Sequence, residues 1–189
     1  MMAPNVTRQR GAVLLIAMIM LLLVTLLAIT GMRNTVVEEK LVGYSRDHLA
    51  AVNGVESALR EAETRLALNL GPPDTTADCR DTAKICLFAR LPSNLHVNDW
   101  NWWQQEQNAL PYQGNASSTT TLYNLDQPPR WHTAFIGFDP ANSQGNVEVT
   151  DPVLRRRGVG PYYYQNNATS RGYSSRLTAT GQSTQVQRY

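Results

Sequence analysis

Cysteine is scarce, histidine is scattered, and charge of one sign hardly accumulates in this chain of 189 residues. Two cysteines make neither a disulfide-dense scaffold nor, on one chain, a four-cysteine zinc site. His48, His96 and His132 stand far apart, without HExxH or another metal-ligand spacing. No nucleophile elbow and no phosphate-cradling glycine loop occurs. The stretch Asp139-Pro140-Ala141-Asn142-Ser143-Gln144-Gly145 mixes an acid with amides but lacks the ligand spacing of a calcium loop. No metal, cofactor or catalytic activity is therefore expected. With 17 Lys and Arg against 15 Asp and Glu, the net charge of +2 excludes a protein that coats nucleic acid by bulk charge. At 42% hydrophobic and 17% charged the chain is not disordered, and its length suits one domain with or without an appendage.

Two local absences say more. No charge lies between Arg10 and Arg33, and no proline lies between Pro4 and Pro72. Residues 12–29 read AVLLIAMIMLLLVTLLAI, with Thr25 the one polar side chain. As a helix this run spans roughly 27 Å, close to the hydrocarbon thickness of a bilayer. Arg8 and Arg10 precede it, whereas Arg33, Glu38, Glu39 and Lys40 follow with no cationic excess. The positive-inside rule then puts the N-terminus in the cytoplasm and the remainder outside. A cleaved secretory signal competes with this reading, but Thr30-Gly31-Met32-Arg33 is a poor small-x-small site. A buried core helix competes less well, because the run has no polar face.

Over residues 33–70 the pattern changes. Leu41, Val42, Leu49, Val52, Val55, Leu59, Ala62 and Leu66 recur at helical spacing, while Glu56, Arg60, Glu61, Glu63 and Arg65 occupy other faces. Glu56 with Arg60, and Glu61 with Arg65, have the favourable acid-before-base order at i,i+4. The amphipathic helix is expected to continue out of the apolar one and to end at Gly71-Pro72-Pro73. Such a helix would be roughly 90 Å long, too long to lie wholly on a domain of this size.

Residues 72–189 hold every Phe and Trp and all tyrosines but Tyr44, among many Asn, Gln, Ser, Thr, Gly and Pro. Short β-favouring runs at 134–138, 147–149, 162–165, 176–180 and 184–189 alternate with turn signals. The expected fold class is α+β, with one long N-terminal helix whose stripe over residues 49–66 packs on an antiparallel sheet. The expected organisation is a leader over 1–11, a membrane or filament-core helix over 12–32, its amphipathic continuation over 33–71, and a β-rich head over 72–189.

A short basic leader ending in glycine, then an apolar helix grading into an amphipathic one, resembles a type IV prepilin. Arg10-Gly11-Ala12, Met32-Arg33-Asn34-Thr35 before Glu38-Glu39-Lys40, and the helix from Ala50 to Glu56-Ser57-Ala58-Leu59-Arg60 resemble the PilX group of minor pilins. Thr169-Ser170-Arg171-Gly172-Tyr173 is similar to that group's C-terminal end. The resemblance implies cleavage by a membrane peptidase between Gly11 and Ala12, followed by methylation of the Ala12 amine. It implies a pilin-like fold and a single-pass inner-membrane protein with its head in the periplasm, later carried into a surface pilus that supports twitching motility. The implied partners are other minor pilins, the major pilin, the prepilin peptidase, the inner-membrane assembly platform and a tip adhesin; DNA is not expected.

One position departs from the family. Most pilins carry a glutamate at the fifth residue after the cut, where this chain has Ile16. A carboxylate inside an apolar bundle costs several kcal/mol unless it is paired. In the family that acid neutralises the terminal amine of an adjacent subunit, so a subunit at or beside the tip can dispense with it. The expected work is initiation of pilus assembly within a tip complex. A minor pseudopilin of the type II secretion system shares the leader and helix, and a DNA-uptake pilin is a third reading.

Three features of the head remain. Cys79 and Cys86, in an oxidising compartment, are expected to form a structural disulfide, because their spacing is not C-x-x-C. Trp100, Trp102 and Trp103 cannot all face one side of a strand, which leaves at least one as a candidate interface anchor beside a core role for the others. Arg155, Arg156 and Arg157 lie in a C-terminal stretch with no acid after Asp151, as a solvated edge or as a candidate dock for an acidic subunit.

Overall fold

The computed structural model describes residues 12–114, 124–139 and 160–189. Helix α1 runs unbroken over Ala12–Ala67. After it come strand β1 (Leu87–Phe88), the five-residue helix α2 (Trp100–Gln104), and strands β2 (Leu110–Pro111), β3 (Arg130–Phe138), β4 (Pro161–Arg171) and β5 (Thr178–Arg188). The protein is α+β: a long helix and an open sheet that is antiparallel apart from β1. The chain falls into two compact units, residues 1–45 and 46–189, so the last turns of α1 belong to the unit that holds the sheet.

The sheet runs β1-β3-β4-β5, with β2 also paired to β3. Hairpin β4–β5 holds one register from Pro161 opposite Arg188 to Arg171 opposite Thr178. β3 and β4 pair from Arg130–Thr169 onward, with a bulge between Phe135 and Gly137. Two faces follow from this register. Trp131, Thr133, Ala168 and Gly181 share the face under α1, and His132 and Asn167 share the other.

The helix meets the sheet through small residues. Ala51, Gly54, Val55, Ala58, Ala62 and Leu66 are buried at three- and four-residue spacing. They face large groups on the sheet, with Val55, Ala58 and Ala62 in one core beside Trp131, Ala168, Leu110 and the two cysteines. Two contacts require glycine. A Cβ on Gly181 would press into Val55, and one on Gly54 would overlap the Ser170 side chain. Of the stripe expected over residues 49–66, Val55, Leu59, Ala62 and Leu66 pack in the core, whereas Leu49 is exposed. α1 also stops before the Gly-Pro-Pro signal, where the Asn69 side-chain amide donates to the carbonyl of Arg65.

The strands differ from the sequence expectation for one physical reason. β4 runs on through Asn166, Asn167, Thr169 and Ser170, all buried, where polarity suggests a loop. The side chains of the first three bond across the sheet. The Thr133 hydroxyl donates to Asn166 Oδ1 at 2.7 Å, and Asn166 Nδ2 donates to the Ser183 hydroxyl at 3.3 Å. β5 likewise passes through Gly181 and Gln182, joining two runs that read as separate strands. β3 begins at Arg130 rather than residue 134, and the run at 147–149 lies outside the described residues.

Cys79 and Cys86 form a disulfide, Cα to Cα 4.8 Å, within the core beneath α1. Backbone bonds tie the same segment to its surroundings: Thr76 N–H donates to Leu87 O, Cys79 N–H to Gln107 O, and Thr133 N–H to Cys86 O. Replacing both cysteines by serine is expected to lower stability by about 2–3 kcal/mol, from the entropy that the closed loop removes from the unfolded chain. Urea unfolding of the two proteins measures it, and equal midpoints would refute it.

Candidate assembly surfaces

In the first unit every large apolar side chain of α1, from Val13 to Val42, is exposed. The helix is long and apolar enough to cross a membrane. Its three threonine hydroxyls in this unit are satisfied within the helix: Thr25 donates to Leu22 O, Thr30 to Leu27 O and Thr35 to Gly31 O. This surface therefore presents methyl groups and no free polar atom of those three threonines, which suits lipid or a sheath of similar helices. Ile16 is 56% exposed on it, so an acid there would face whatever surrounds the helix. Ala12 is the first residue of α1, and Gly11 lies outside the described residues.

The second unit grips its part of α1 at two polar points besides Glu63, whose carboxylate accepts the Ser183 hydroxyl at 2.6 Å. Near the helix end, Glu61 is buried with Oε1 2.6 Å from Arg65 Nη2. Glu61 Oε2 accepts the N–H groups of Gln113 at 2.9 Å and Gly114 at 3.3 Å. Arg65 in turn donates to Thr82 O and Gln113 Oε1, and lies over the Trp131 ring at 5.5 Å. One ion pair thus fastens α1 to two loops and to β3. It lines an open groove of about 1260 Å³ with Asp74, Lys84 and Ile85, where the pair's charges already satisfy each other.

At the other point Asp47 closes on the β4–β5 turn. Its carboxylate accepts the Ser174 hydroxyl at 2.6 Å and the Ser174 N–H at 3.1 Å. The Ser174 hydroxyl bond is the main reason its pKa lies below the usual carboxylate value, against a smaller upward push from burial. Gly172 is required beneath it, since a Cβ there would overlap Asp47. The stretch Thr169-Ser170-Arg171-Gly172-Tyr173 acquires concrete roles in this way. Ser170 abuts Gly54, Gly172 abuts Asp47, and Arg171 donates to Asp126 at 3.2 Å while covering Trp100 at 4.6 Å. Sequence reasoning singled out 169–173 but not Asp47, which no local pattern marks.

Trp100, Trp102 and Trp103 lie on α2, not on a strand, and all three are buried. Asp99 starts this helix by accepting the Asn101 N–H at 3.0 Å. Short helical spacing lets the rings converge: Trp103 stacks on His132 at 5.0 Å, and Trp102 meets the same imidazole edge-on at 5.6 Å. They lie in the core of the sheet's second face, the role expected for most of them. Arg155, Arg156 and Arg157 lie outside the described residues. His48 and His96 are exposed and separate, and among the described residues no three His, Cys, Asp or Glu side chains gather as a metal site.

The described surfaces offer docking and anchoring: a bare apolar helix in the first unit and, in the second, a sheet held to α1 over residues 47–66. Residues 10–60 match the family model described as PilX N-terminal. No curated protein and no solved structure matches.

Proposed function

We propose that this chain, whose residues 10–60 match the family model described as PilX N-terminal, is a minor pilin that helps initiate type IV pilus assembly within a tip complex. The observation that carries this is the exposed, charge-free stretch of α1 over residues 12–32, with Ile16 near its start. In the bilayer that surface rests against lipid tails. Moving it into a filament core replaces lipid by equally apolar helices, so the exchange is close to neutral in hydrophobic terms and is driven by packing. An acid at position 16 would make the lipid state costlier, by about 2.5–3.5 kcal/mol at the centre of a span and less near its end. A shaft subunit recovers that cost by pairing the acid with a neighbour's amine, and a tip subunit has no such need. Cleavage between Gly11 and Ala12, methylation of the new Ala12 amine, inner-membrane insertion with the head periplasmic, and contacts with other pilins and the assembly platform belong to this reading.

Deleting the chain tests it. Surface pili are expected to disappear and to return with the wild-type copy, while type II secretion is unaffected; normal piliation with lost secretion would favour a pseudopilin instead. In the complemented strain, Ile16→Glu is expected to place the subunit along the shaft as well as at the tip, as seen by immunogold labelling. Unchanged labelling would remove position 16 from the argument for the tip.

A further inference from the structure

The open edge of β5 has a definite hydrogen-bonding face. Gly160 and Tyr189 exchange both backbone bonds, N–H to O in each direction, and Gly172 N–H donates to Leu177 O. These pairs bracket the β4–β5 ladder, whose register is unbroken between them. In an antiparallel pair the residues alternate between those that bond the partner strand and those that point their backbone groups away from it. Residues 179, 181, 183, 185 and 187 therefore bond β4. Thr178, Thr180, Gln182, Thr184, Val186 and Arg188 turn N–H and C=O outward. All but the half-buried Val186 are exposed.

The two edges of the sheet are treated differently. The outer side of β3 is covered by two-residue strands, β1 at Thr133 and Ala134 and β2 at Arg130 and Trp131. β5 is eleven residues long, and among the described residues no strand pairs with its outer edge. Its sequence TATGQSTQVQR has no proline, no lysine and no bulge, the usual devices that keep an edge from pairing. Such an edge accepts a further strand, with affinity from main-chain bonds and little demand on side chains.

We propose that the outer edge of β5 receives an extended strand from a different protein of the assembly, one bearing carboxylates near its ends. The charges choose this occupant. Residues 160–189 hold no acid, and apart from Arg171, which pairs with Asp126, they carry Arg176 just before β5 and Arg188 at its end. A second copy pairing antiparallel brings Arg188 of one chain beside Arg176 of the other at both ends, and parallel pairing sets Arg188 on Arg188. Like charges across strands destabilise the pair, whereas carboxylates at those positions would stabilise it. The proposal rests on the pilin reading and names how the head would join its neighbour.

Proline at Gln182 isolates the edge, because this N–H is not given to β4 and edge positions of that kind tolerate proline. The full-length Gln182→Pro protein in detergent is expected to keep the wild-type melting temperature. In the deletion strain the wild-type copy should restore pili and Gln182→Pro should not. Amide exchange on the full-length chain supplies the second measurement, alone and in the cross-linked complex purified through it. The outward amides of 178, 180, 182, 184, 186 and 188 should be fast alone and slow on the order of tenfold or more in the complex. Full restoration of pili by Gln182→Pro, outward amides that stay fast in the complex, or a chain that recovers no partner would overturn the proposal. Self-association abolished by Gln182→Pro would assign the edge to a second copy and overturn it equally. A deletion that leaves pili intact defeats the pilin reading, and the exchange experiment then judges the edge alone.

Discussion

Lowering the pH from 6.5 to 4.5 is expected to cost the head about 2–3 kcal/mol of stability through the imidazole of His132. The ring is fully buried between Trp102, Trp103 and Phe88, and burial drives its pKa from 6.5 down to about 3. Asn167 Nδ2 donates to His132 Nε2 at 3.3 Å, and the Asn167 carbonyl oxygen is held by Gln165 Nε2 at 2.9 Å. That orientation makes Nε2 an acceptor and fixes the neutral tautomer with its proton on Nδ1. A proton added to Nε2 in this arrangement would meet the amide's own N–H group.

The sign follows from the unfolded chain. Above pH 6.5 both states hold a neutral ring and the stabilisation is complete. Between 6.5 and about 3 the unfolded state takes up a proton that the folded state refuses, so stability falls by up to about 1.4 kcal/mol per unit. Against a total of about 5–15 kcal/mol for a domain this is a large loss. Urea unfolding at a series of pH values measures it. His132→Phe, which keeps an aromatic ring in the stack, should flatten the difference between pH 6.5 and 4.5 even if it shifts stability overall. Equal slopes for the two proteins, or a His132 titration midpoint near 6.5 in the folded state, would show that the ring is not the cause.

The same histidine shows where sequence reading stops. Nothing near it in the chain marks it as the centre of an aromatic stack, because Phe88, Trp103 and Asn167 come from three different elements. α1 was legible because eighteen apolar residues and an i,i+4 repeat are local signals. The cysteine pairing was legible from compartment and count. The strands were legible only where they are apolar or aromatic. Asn166, Asn167 and Gln182 conceal β4 and β5 because their side chains are satisfied by partners across the sheet or by solvent, which a local pattern cannot contain. The three tryptophans mislead for a related reason. Alternation applies to a strand, and Asp99 instead caps a short helix on which all three rings are buried. The outward face of β5 is the opposite case: it needs only the register and two hydrogen-bonded pairs, but both are properties of the folded hairpin.

Glu61→Ala is expected to destabilise the head by about 3–5 kcal/mol, whereas Glu56→Ala should change stability by less than about 1 kcal/mol. Both acids stand four residues before an arginine, and their local sequence gives them the same modest value. Their surroundings separate them. Glu56 and Arg60 are 3.9 Å apart on an open face, with side chains 58% and 79% exposed. Water and salt screen such a pair. Glu61 is 6% exposed and holds three groups at once: the Arg65 guanidinium and the backbone amides of Gln113 and Gly114. Removing it leaves Arg65 facing Trp131 without its counter-charge and two N–H groups without an acceptor, which is the costly half of a buried pair. Replacing both partners, as Glu61→Leu with Arg65→Leu, removes the stranded charge and should recover part of the loss, so the double variant is expected to be more stable than Glu61→Ala. Urea unfolding of the four proteins closes the comparison. If Glu61→Ala falls within about 1 kcal/mol of wild type, the pair is only a surface bridge, and the junction of α1 with the loops at 82 and 113 is held by the alanine-lined core alone.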